Sequence, residues 1–111
     1  MPDINFKQIL TDSLSFSRQE LGTAFKKVKP FAEHEFTQFA ENALFLAKLK
    51  LNGTIDNEEL KSRLMLQKLA VANVLLAIKG IGLVTAQNVV NGVLGIISKA
   101  IKNAINVALP I

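Results

Sequence analysis

The sequence predicts an all-α fold, a small helical bundle built on an antiparallel helical hairpin with a long C-terminal helical segment. Apolar side chains recur every three or four residues through most of the 111 positions, the spacing of amphipathic helices. The two-residue alternation typical of half-buried strands is missing. Half of the residues are apolar, which suffices for one core, and the length fits a single domain over residues 1–111.

The first helix is predicted over about residues 4–29, with Asp3 as a plausible N-cap. Apolar residues from Phe6 to Val28 follow helical spacing. The serine-rich stretch at residues 13–17 is a weak helix former, so we expect fraying or a bend there. Pro30 disfavours the helical conformation of the residue before it, which predicts an end or a kink at this point.

The second helix is predicted over about residues 31–51, and Pro30 suits its first turn because a missing N–H group costs nothing there. Asn52-Gly53 predicts its end, since glycine adopts the left-handed conformation that follows many helices. Asp56 and Glu59 then have the spacing of a capping box that starts another helix. The short link predicts that the two helices pack as an antiparallel hairpin.

The remaining helical segment, about residues 56–109, is too long to be one helix of a small domain. It would extend over about 80 Å at 1.5 Å per residue. Two glycines within Gly80-Ile81-Gly82 favour a kink or a short turn, so a break is expected near residues 80–82.

Charge is divided unequally between the two halves of the chain. All nine acids lie in residues 1–59 beside seven bases, whereas residues 60–111 carry six bases and no acid. The formal charge is therefore −2 for the first part and +6 for the second, which gives the net +4. The basic part is also rich in Val, Ile, Leu, Ala and Gly, which suits a helix that binds an acidic partner, a membrane or further copies of itself.

Small residues and asparagines recur in this basic half and predict an intermolecular interface. Gly82-x-x-x-Ala86 is a small-xxx-small step, which lets helix backbones approach closely, and a buried Asn can fix the register of a helix pair. Ordinary tight packing inside the monomer is the alternative explanation. The candidate interface residues are Asn73, Gly80, Gly82, Ala86, Asn88, Asn91, Gly92 and Gly95.

Membrane binding is the main alternative function, through about residues 69–109. Residues 92–109 are amphipathic and cationic, a pattern typical of interfacial membrane helices, and in general features they resemble short helical antimicrobial peptides. Residues 80–98 carry no charge over a length that could cross a bilayer, but their Asn and Gln residues favour a buried helix. Lys79, Lys99 and Lys102 are the candidate contacts with anionic lipid or with an acidic partner.

The residue types argue against an enzyme and against a cofactor or metal site. The chain has no Cys and one His, so no nucleophile–base pair can be assembled. The side chains of Glu33-His34-Glu35 diverge by about 100° per residue on a helix and cannot share one ion. Lys26-Lys27-x-Lys29 leaves nucleic-acid binding as a minor alternative, because no Tyr or Trp is present for base stacking.

The sequence therefore predicts a non-enzymatic helical assembly or partner-binding protein whose C-terminal half is the interface. The partner is expected to be another copy, giving a homo-oligomer, or a different protein. The N-terminus begins with an acid, and polar residues interrupt the apolar residues that follow, so it lacks the pattern of a secretory signal. A cytoplasmic location is therefore expected, and membrane association is expected under the alternative function.

Overall fold

The computed structural model describes residues 4–110, in which four α-helices pack around one apolar core. Helix α1 spans Phe6–Leu21 and a single 3-10 turn, Gly22–Ala24, joins it to α2, Phe25–Leu51. Helix α3 spans Asn57–Leu76 and α4 spans Leu83–Ile105. The predicted all-α bundle is confirmed, and the part of the chain described contains no β-strand.

Helix α1 begins at Phe6 because Asn5 caps it, with the Asn5 side-chain oxygen accepting a hydrogen bond from the Gln8 N–H at 3.0 Å. The predicted cap, Asp3, lies outside the described residues. The helix is continuous through the serine-rich stretch that was expected to weaken it. Ser13 and Ser17 are completely buried, so packing against the bundle outweighs their low helix propensity.

The boundary between α1 and α2 lies at Gly22, eight residues before the predicted position at Pro30. Gly22 has φ 56° and ψ −127°, a conformation that residues with a side chain rarely adopt. Pro30 instead lies within α2. The proline cannot pair with the carbonyl of Lys26, but both residues are exposed, so water can reach that carbonyl and the helix continues.

Helices α2 and α3 form the predicted hairpin around Asn52-Gly53. Gly53 has φ 82°, which is the left-handed conformation that the sequence predicts at the end of this helix. Asp56 is the N-cap of α3, and its Oδ1 accepts a hydrogen bond from the Glu59 N–H at 2.8 Å. The Glu59 carboxylate lies 3.6 Å from the Arg63 guanidinium in an exposed ion pair, the pairing expected one helical turn apart.

The C-terminal segment breaks at residues 77–82, between α3 and α4, where Gly80 has φ 99°. Helix α4 ends at Ile105, four residues before the predicted end, because Asn106 adopts the left-handed conformation with φ 58°. Val107 and Leu109 follow it and are buried against the core.

Helix α4 contributes the centre of the core and contacts each of the other three helices. Val89, Val93, Ile97 and Ile101 are fully buried along one of its sides. Helix α1 packs on α4 and α2, and within residues 4–110 it does not contact α3. One side of the α3–α4 pair is therefore left uncovered by α1.

Candidate partner-binding groove

Exposed apolar side chains concentrate on α3 and on the first turn of α4. Among the described residues, nine large apolar side chains are exposed, and three of these lie on α2. The other six are Met65, Leu66, Leu69, Leu76, Leu83 and Val84. Single exposed apolar residues are normal on a protein surface, but a cluster indicates an interaction surface.

A groove of ≈ 390 Å³ lies between α3 and α4 within this cluster. Its α3 wall runs from Met65 to Leu76, which is about 17 Å or three helical turns. Ala72 and Val90, both buried, form its floor. The complete lining is Met65, Lys68, Leu69, Ala72, Asn73, Leu76, Leu83, Gln87, Val90 and Asn91.

The groove exists because α3 is apolar on two sides and only one of them meets the core. Leu60, Leu64, Val71 and Leu75 are buried against α2 and α4. Met65, Leu69 and Leu76 follow the same spacing on a second stripe that stays exposed. A helix with two apolar stripes buries both only when a partner covers each side.

The groove also contains polar side chains. Asn73, Gln87 and Asn91 line it and are exposed, so their amides remain available as donors and acceptors. Lys68 is the one charged residue in the lining and is half-buried. Its alkyl stem adds apolar surface while its ammonium group stays near solvent.

The structure places the predicted interface residues in four different environments. Asn73 and Asn91 line the groove, and Gly80 and Gly82 are exposed in the link between α3 and α4. Asn88 and Gly95 lie on the exposed side of α4.

The remaining two predicted interface residues, Ala86 and Gly92, lie inside the monomer. Ala86 is fully buried. Gly92 is covered by the ring of Phe16 on α1, and a methyl group at this position would overlap that ring. For these two residues, packing within the monomer accounts for the small side chain.

The sequence interpretation missed Met65, Leu69, Leu76 and Leu83, the apolar residues that form the groove walls. A signal for them was present, because residues 64–66 and 69–72 are apolar at more positions than one side of a helix can hold. Two apolar stripes on one helix indicate a second contact surface, but they do not tell which stripe faces the core.

Of the predicted basic contacts, Lys79 lies in the α3–α4 link, and Lys99 and Lys102 lie one turn apart on α4. Lys79, Lys99 and Lys102 are all exposed. Lys99 and Asp12 line the same shallow pocket between α1 and α4. Lys99 has no acidic residue near it in the sequence, but the fold brings the Asp12 carboxylate of α1 to the same pocket. The Lys27 Nζ lies 3.5 Å from the Lys79 carbonyl oxygen, which joins the basic cluster of residues 26–29 to the α3–α4 link.

The apolar side of α4 that suggested lipid binding is occupied by the core. Val93, Ile97 and Ile101 on that side are inaccessible to solvent. Among the helices of residues 4–110, none combines the length and the apolar character needed to cross a bilayer.

No group of three potential metal-binding side chains is brought together in the described part of the chain. Glu33 and His34 are exposed on α2, and the neighbouring Glu35 is half-buried. The chain matches no known protein family, and comparisons with curated proteins and with solved structures likewise give no significant match.

Proposed function

We propose that this protein is a non-enzymatic helical binding protein that accepts a helix of a partner in the α3–α4 groove. The observation that carries the proposal is the uncovered apolar stripe of Met65, Leu69 and Leu76, which faces Leu83 across the groove. Grooves of this kind bind the apolar side of an amphipathic helix. The exposed amides of Asn73 and Asn91 supply hydrogen bonds that fix its register.

Photo-crosslinking in cells tests this proposal. A photoreactive amino acid replaces Leu69 in the groove, and in separate variants it replaces Gln19 on α1 or Lys48 on α2, both of which are exposed. A discrete protein adduct is expected from position 69 and not from positions 19 and 48. The adduct should disappear when Leu76→Glu is added, since a charge in the apolar wall opposes burial.

Equal adducts at all three positions, or none at position 69, contradict the proposal. Circular dichroism of each variant establishes that the helices remain folded. An adduct that contains only lipid contradicts protein binding and favours the membrane alternative, for which exposed Leu83 and Val84 near Lys79 offer a contact surface.

A further inference from the structure

We infer that the α3–α4 groove selects an acidic amphipathic helix of another protein and disfavours a second copy of this chain. The inference rests on the proposed function and adds the chemistry of the partner. It is carried by the charge around the groove, which is a separate observation from the groove's apolar walls.

The groove sets the length and spacing of the apolar stripe that it can accept. Its α3 wall extends for about three turns, so a bound helix contributes apolar residues at positions i, i+3, i+4, i+7 and i+11. The floor residues Ala72 and Val90 are small or β-branched, which leaves room for side chains such as Leu between the walls.

Three bases lie on or next to the groove. Lys68 lines the wall, Lys61 lies one turn before Met65 on the same side of α3, and Lys79 follows Leu76 in the link. Residues 60–111 contain no Asp or Glu, and the nearest acid on the same side of α3 is Glu58, one turn before Lys61. Carboxylates beside the partner's apolar stripe would therefore meet opposite charge at the α3 wall and at the link, while the α4 wall is uncharged.

The same charge pattern disfavours pairing of two copies through this surface. A symmetric dimer places the same patch of each subunit against the other. Lys68 and Lys61 of one copy would then face a groove whose one charged lining residue is the Lys68 of the other copy. Like charges opposed at an interface suppress association, so a second copy is the wrong partner for this surface.

A tryptophan-labelled peptide provides a direct test, because the chain itself contains no Trp or Tyr. The probe is a synthetic helical peptide of about 15 residues with Leu at the stripe positions, Glu on both flanks and one Trp within the stripe. A matched peptide has Lys at every Glu position. A third peptide keeps the composition of the probe but scrambles the stripe.

We expect the acidic peptide to bind with a blue shift of its Trp emission, and to bind at least about tenfold more tightly than the basic peptide. Raising the salt concentration from about 0.05 M to about 0.5 M should weaken binding of the acidic peptide, because the Debye length shortens. Leu69→Ser should abolish binding, and Lys68→Glu should reduce it at least about tenfold. The control Lys7→Glu makes the same charge change on α1, which does not contact α3 within residues 4–110, and should have no effect.

Equal binding of the acidic and basic peptides, or binding of the scrambled peptide, overturns the inference. The inference is also overturned if the acidic peptide does not bind. In that case a groove-specific protein adduct at position 69 would still support the proposed function. A protein that dimerises without peptide, and loses the dimer in Leu69→Ser, has a second copy as its partner and again overturns only the inference. Lipid adducts alone at position 69 overturn both.

Discussion

The ring of Phe16 on α1 covers Gly92 on α4 and fills the space that a side chain at position 92 would need. Gly95, three residues further along the same helix, has open space around its Cα. The two glycines therefore have different structural roles. Gly92 permits the close approach of α1 and α4 within the monomer, whereas Gly95 lies on the outer surface.

Alanine should stabilise the protein at Gly95 but not at Gly92. Gly95→Ala should stabilise the protein by up to about 1 kcal/mol, because Ala has the higher helix propensity. Gly92→Ala gains the same propensity but must displace the Phe16 ring, and such overpacking costs roughly 1–3 kcal/mol. Urea denaturation should therefore show Gly92→Ala to be neutral or destabilising.

A double-mutant cycle separates these two contributions at position 92. In a Phe16→Ala background the obstructing ring is absent, so Gly92→Ala should become stabilising, as Gly95→Ala is in the wild type. Equal effects of Gly92→Ala with and without Phe16 would show that the ring does not restrict this position.

The left-handed conformation of Asn106 predicts that Gly and Ala rank in opposite orders at two neighbouring asparagines. Asn106→Ala should destabilise by up to about 1 kcal/mol, since left-handed backbone is unfavourable for residues with a Cβ, and Asn106→Gly should be neutral or stabilising. Asn103 lies within α4 and its side chain is exposed. Asn103→Ala should therefore be more stable than Asn103→Gly, because Ala has the higher helix propensity. Thermal unfolding of the four variants measures this, and the same order at both positions would refute the assigned helix end.

The buried hydroxyl of Ser13 should reduce stability. Ser13 and Ser17 are both fully buried, but only Ser17 has a partner, since its Oγ donates to the Ser13 carbonyl oxygen at 2.8 Å. Ser13→Ala removes an unpaired polar group and raises helix propensity, so it should stabilise by about 1 kcal/mol. Ser17→Ala loses a hydrogen bond, so it should stabilise the protein less than Ser13→Ala does. Equilibrium denaturation of both variants provides the comparison, and a clear loss of stability in Ser13→Ala contradicts the expectation.

The burial of the apolar side of α4 predicts that the folded protein does not release dye from anionic vesicles. Val93, Ile97 and Ile101 would have to leave the core before they could enter lipid. The double variant Lys99→Glu with Lys102→Glu should then behave as the wild type in a dye-release assay. Release by the wild type that is lost in this variant, but kept in Lys7→Glu, would support the membrane function instead.

The sequence predicted those parts of the fold that depend on local signals. Asn52-Gly53 and Asp56 mark the hairpin because a glycine turn and a side-chain cap act within a few residues. It did not predict the boundary at Gly22, since Pro30 is the stronger local breaker. Whether Pro30 interrupts a helix depends on whether its surroundings can hydrate the unpaired carbonyl, which is a tertiary property.

The groove was only partly predictable for the same reason. The residue type of Asn73 and Asn91 predicts an interface, and both residues line the groove. The sequence does not distinguish Met65 and Leu69 from core residues, because most large apolar residues on a helix are buried. The packing of α3 on α2 and α4 determines which apolar stripe is buried, and the other stripe remains outside because α1 does not cover α3.

The packing of α1 on α4 has a consequence for how the chain acquires its structure during synthesis. Phe16 emerges from the ribosome 76 residues before its neighbour Gly92, and the intervening residues include the complete α2–α3 hairpin. That hairpin joins elements close in sequence, so it can form early and α2 can cover part of α1, whereas the side of α1 that packs on α4 stays exposed until α4 has been made. Nascent chains that stop at residue 82 are therefore candidates for chaperone binding, with α1 as the segment recognised.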